Sequence, residues 1–76
     1  MNNVRRKRIG EAMKHLSLAR ELLETVRDEE QEAYDNLPEN LQESERGQKM
    51  EEAVDTLDTA VSDLENVESS LEECKE

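Results

Sequence analysis

Asn36-Leu37-Pro38-Glu39-Asn40-Leu41-Gln42-Glu43-Ser44-Glu45-Arg46-Gly47 separates two long stretches that have helical periodicity and no turn signal of their own. Pro38 disfavours the helical region for Leu37, so a helix should end before it. Asn36 with Glu39 three residues on offers a capping box for a fresh turn, and Ser44 is a natural N-cap for a second long helix. Leu37 and Leu41, four apart, are spaced to fold over the end of a core. Gly47 then falls in the first turn of the second helix, where fraying relieves much of its helix penalty of about 1 kcal/mol. The segment 36–47 reads as the bend of a hairpin.

Before the bend, apolar positions recur at steps of three and four: Ile9, Ala12, Leu16, Ala19, Leu23, Val26, then Ala33 and Leu37, with Glu30 interrupting the stripe. Met13, Leu22 and Tyr34 widen its flanks. This predicts one helix over about 3–34, capped by Asn2 or Asn3, with Gly10 as a weak point. After the bend Met50, Val54, Leu57, Val61, Leu64 and Leu71 continue the pattern, with Glu68 in the seam. A second row, Ala53, Ala60, Val67 and Cys74, repeats every seven residues beside it. The second helix is predicted over about 44–74.

Two helices of roughly 30 residues, each about 45 Å long, must lie antiparallel. Folding about the bend sets Ala33 near Met50, Val26 near Leu57, Ala19 near Leu64 and Ala12 near Leu71. It also brings Glu68 towards His15, the only histidine, as a pair or as two solvated groups. The fold class is therefore all-α: residues 1–76 form a single antiparallel two-helix hairpin, coiled-coil-like in its packing. Each helix carries about three apolar positions in seven, so a bare hairpin leaves a strip wet. Pairing two hairpins into a homodimeric four-helix bundle would cover it. The core and dimer seams together take Leu16, Leu23, Val26, Val54, Leu57, Ala60, Val61, Leu64, Val67 and Leu71. A hairpin that keeps its second face for a different protein is the alternative.

A chain of 76 residues with one aromatic side chain, Tyr34, has to build its core from aliphatic groups. At this size one core barely offsets chain entropy, so a staple or a partner is expected. Cys74 is the only cysteine, which excludes a disulfide framework and points to a reduced, cytoplasmic setting. The basic start lacks the apolar run of a signal peptide, and no segment has the length and hydropathy to span a membrane. With one His, one Cys and no Gly-rich loop, no metal spacing, cofactor motif or placed nucleophile appears. The expectation is a non-enzymatic protein without cofactor.

The net charge is −11, unevenly spread. Residues 1–20 hold six of the ten bases and one acid, whereas residues 51–76 hold ten of the 21 acids and one base. In the hairpin the run Arg5, Arg6, Lys7, Arg8 lies beside Glu72, Glu73 and Glu76, where it answers unfavourable helix dipoles. Alone, that basic arm would read as a phosphate contact. Acids at Glu51, Asp55, Asp58 and Glu65, with the run Asp28–Glu32, could instead mimic nucleic acid and occupy a basic groove, or form a solvated face.

From Arg27 through Arg-Asp-Glu-Glu-Gln-Glu-Ala-Tyr-Asp-Asn-Leu-Pro-Glu-Asn-Leu-Gln-Glu-Ser-Glu-Arg-Gly to Gly47, the chain resembles a group of short acidic proteins encoded in phages and integrative elements of Gram-positive gut bacteria. The likeness extends over the basic N-terminus and the heptad-patterned acidic half. Members are mostly without an assigned activity, so the resemblance implies a mobile-element setting and, by analogy with small acidic phage proteins, a binding role. Three functions are therefore in view. The first is a protein-binding accessory factor acting through a dimer. The second is an acidic decoy of nucleic acid, and the third is nucleic-acid contact through Arg5–Arg8.

Overall fold

The computed structural model describes residues 1–76 as three helices and no strand: α1 (Asn3–Asp35), α2 (Glu39–Gln42) and α3 (Glu45–Lys75). The long pair α1 and α3 lie antiparallel and form a rod of 58 × 15 × 13 Å. No helix is long and apolar enough to cross a membrane.

Helix α1 starts where Asn2 accepts a 2.9 Å hydrogen bond from the Arg5 amide, satisfying one of the free donors of the first turn. At its other end Asn36 has helical φ and ψ, and its amide donates to the Glu32 carbonyl at 3.0 Å. Asn36 therefore closes α1 rather than opening a new turn, which corrects the capping-box expectation. The single turn of α2 begins after Pro38, which has no side chain able to cap it. Gln42 ties that turn back by donating from Nε2 to the Tyr34 carbonyl at 3.1 Å. Ser44 caps α3, accepting from the Gly47 amide at 3.4 Å while its hydroxyl donates to the Leu41 carbonyl.

Gly47 is buried in the first turn of α3, and the reason is steric. A Cβ there would stand 2.1 Å from the Gln42 carbonyl oxygen and 2.7 Å from that of Leu41. The backbone of α2 passes too close for any side chain, so fraying is not what makes glycine acceptable. Gly10, by contrast, has open space around its Cβ position. Leu37 is half-buried at the bend, whereas Leu41 stays exposed.

The seam between the long helices is narrow. Val54 and Val61 are the only buried apolar residues, at 9% and 3% exposure. Around them Ile9, Leu16 and Leu23 of α1 and Met50, Leu57, Leu64 and Leu71 of α3 are half-buried. The second row expected on α1 does not enter the seam: Ala12, Ala19, Val26 and Ala33 are exposed. Their place is taken by Arg6, Met13, Arg20, Arg27 and Tyr34, also seven apart and all half-buried. Long side chains lay their methylene stems along the seam and deliver a polar tip to its edge, which short alanines cannot do.

Candidate functional site

Two flanks of the rod differ in kind, and neighbouring side chains establish which rows share a flank. Glu30, Arg46, Lys49, Met50 and Ala53 line one shallow depression. Gln31, Tyr34, Glu51, Val54 and Asp55 line another, across the seam from the first. On α1 the Ala12, Ala19, Val26, Ala33 row lies beyond Glu30, away from Gln31, and on α3 Ala53 continues into Ala60, Val67 and Cys74. These two rows therefore border one flank. Ala53 and Ala60 are half-buried, whereas Val26, Val67 and the neighbouring Leu22 are exposed, at 42%, 44% and 66%. Of the expected seam residues, the hairpin buries Val54 and Val61 and half-buries Leu16, Leu23, Leu57, Ala60, Leu64 and Leu71. It leaves Val26 and Val67 to the apolar flank.

The opposite flank is polar and holds the hairpin together. Arg27 Nη1 donates to Asp58 Oδ1 at 3.1 Å, and its other nitrogens reach Asp28 at 3.3 Å. The Tyr34 hydroxyl donates to Glu51. Arg20 bridges the seam, from Nε to Glu68 at 2.9 Å and from Nη1 to Glu24 at 2.8 Å. Glu68 is thus answered by Arg20, not by His15 or by water alone, and His15 is exposed. The four acids of the candidate face are all exposed; Glu51 and Asp58 also serve as internal partners of Tyr34 and Arg27, whereas Asp55 and Glu65 have no partner within the chain.

The basic arm also departs from expectation. Arg6 donates from Nε to the Lys75 carbonyl at 2.9 Å and from Nη1 to Asn3 at 3.0 Å. A guanidinium on α1 thereby caps the C-terminus of α3, supplying the cation its dipole favours. None of Arg5, Arg6, Lys7 and Arg8 forms the ion pair expected with Glu72, Glu73 or Glu76; Glu72 instead meets Lys75 at 3.8 Å. Arg46 forms no ion pair, while Lys49 reaches Glu45 at 3.3 Å.

Hydrogen bonds from Glu68 and Glu24 push the Arg20 guanidinium above its ordinary range, so it stays charged throughout. Partial desolvation lowers Arg27, but its contacts with Asp28 and Asp58 outweigh that and leave it raised. The Tyr34 phenol is raised by its hydrogen bond to Glu51, then by desolvation and by nearby carboxylate charge. These shifts belong to structural pairing: Arg20, Arg27 and Tyr34 line no enclosed site. No three His, Cys, Asp or Glu side chains converge as metal ligands would.

The arginines of the seam are hard to recognise in the sequence because they interrupt no apolar run. A partial signal is present: Arg27 and Tyr34 step by seven on α1, as do Glu51 and Asp58 on α3, but the next step of that series is Glu65, whereas Arg20 reaches Glu68. No protein-family model, curated protein or solved structure matches this chain.

Proposed function

We propose that this chain is a non-enzymatic, protein-binding accessory factor of a phage or mobile element, and that it works as a dimer in which two hairpins close into a four-helix bundle. The observation that carries the dimer is surface area. A compact monomer of 8.8 kDa exposes about 4,800 Å² by the scaling of surface with mass. The hairpin exposes 5734 Å². The excess of about 900 Å² matches the roughly 800 Å² that each partner contributes to a stable interface. Three of 76 residues are buried, and a core this thin leaves little to offset chain entropy without a second layer.

The apolar flank with Ala19, Leu22, Val26, Ala60 and Val67 is the face such a layer would cover. The decoy reading draws on exposed Asp55 and Glu65, but two of its four acids already serve the hairpin. The basic-arm reading has Arg6 committed to the end of α3. Light scattering after size separation, with helicity followed in parallel, tests the dimer. The expected mass is twice 8.8 kDa at micromolar concentration, falling to monomer or unfolding in Ala60→Glu. A stably helical monomer at every concentration, or a dimer mass untouched by Ala60→Glu, would refute the assignment.

A further inference from the structure

The lengthwise distribution of charge bears on how two copies could meet. Taken together, Arg6–Lys75, Arg20–Glu68, Arg27–Asp58 and Tyr34–Glu51 put Ala19 about level with Asn66, within the turn from Leu64 to Val67. Cut at that level, the half containing the bend, residues 20–64, holds fifteen of the 21 acids and four of the ten bases, a net of −11. The open-end half holds the remaining six acids and six bases and is neutral. The molecule carries its whole net charge in one half.

Resting on the dimer reading above, we infer that the apolar flank receives a second copy of this chain with its bend at the opposite end, about a two-fold axis near Ala19. The alternative, with both bends at one end, would stack −11 against −11 along half the interface, whereas the inverted copy sets −11 against a neutral half. Face to face and inverted, α1 runs antiparallel to its symmetry mate. About an axis at Ala19, Ala12 then meets Val26 of the other copy, and Ala19 meets its own equivalent, so the small residues sit where the helices approach most closely. Just outside this row, Arg8 of each copy reaches the level of Glu29 of the other. Both are exposed and neither has an ion partner within its own chain. The assembly would be a two-ended particle, with an identical acidic bend at each tip.

Cys74, exposed and the only cysteine, provides the test. It lies about seven to ten residues along α3 from the axis level, so nitroxide labels on the two copies should stand about 20–30 Å apart by pulsed electron resonance, at 1.5 Å per residue. With both bends at one end the backbones there would be only about 10–15 Å apart across the bundle. As a second measurement, Ala19→Cys in a Cys74→Ser background should form an intermolecular disulfide under mild oxidation. Arg8→Glu and Glu29→Arg should each weaken dimerisation by about tenfold, and the double exchange should restore it. A dimer with the short label distance, or one that the double exchange fails to restore, overturns the orientation and leaves the dimer standing. An unlabelled parent chain that stays monomeric by mass at every concentration removes the dimer reading, and the orientation with it.

Discussion

Gly47 is the residue on which the bend depends most. A methyl group there would collide with the carbonyls of Gln42 and Leu41 in α2, the latter already holding the turn by accepting from Ser44, so the chain must shift its backbone to admit it. Gly47→Ala should therefore destabilise by about 1–3 kcal/mol, as overpacking does, despite alanine's better helix propensity. Gly10→Ala, where nothing crowds the added carbon, should stabilise by about 0.5–1 kcal/mol, and paired thermal melts would show the opposite signs. Tyr34, the only aromatic, reports on the opposite flank. Its phenol is raised above the usual value of about 10 because the folded chain favours the protonated donor to Glu51. The stability it contributes is whole below pH 10 and is lost as pH rises through the folded value. An absorbance titration should show a midpoint above 10, moving down towards it in Glu51→Gln; a midpoint at or below 10 in the parent chain would contradict the contact.

Between the two long helices, selection of the seam is an electrostatic as well as an apolar matter. The row from Ile9 through Leu16 and Leu23, and the rows of α3 around Val54, Leu57, Val61 and Leu64, were legible because large aliphatic groups at three-four spacing have only one way to leave water. The competing rows of α1 were not legible by hydropathy. Ala12, Ala19, Val26 and Ala33 look more buried than Arg6, Arg20 and Arg27, yet the arginines have partners across the seam and the alanines have none within the chain. The steric need for Gly47 was hidden for a related reason, since it depends on the path of α2, which no local pattern encodes. Arg20 is the strongest case of a polar seam residue. Arg20→Ala should lower the melting temperature more than Glu24→Gln, because it leaves Glu68 half-buried without a partner. Arg20→Met with Glu68→Leu should recover or exceed the parent value, since a matched apolar pair needs no desolvation of charge. A double variant no more stable than Arg20→Ala would mean that the ion pair, rather than the packing around it, holds the seam.

For the whole molecule, the two flanks divide the work. Ion pairs and hydrogen bonds along one flank set the register of α1 on α3, and the other flank keeps Leu22, Val26 and Val67 in water. That division was visible in the sequence as a surplus of apolar positions over what one seam can use. Which residues would make up the surplus was not visible, because it depends on the arginines winning the seam. A second layer would therefore gain most by covering the apolar flank, with the acidic bend held apart at the tip.

The rod's proportions also govern how it moves through a porous medium. With a radius of gyration of 17.2 Å, one copy is as extended as a compact protein of about 220 residues. Side-by-side association along the long axis would double the mass while leaving the longest dimension almost unchanged. Elution volume would thus barely distinguish one hairpin from two, and a lone copy would masquerade as an oligomer several times its weight.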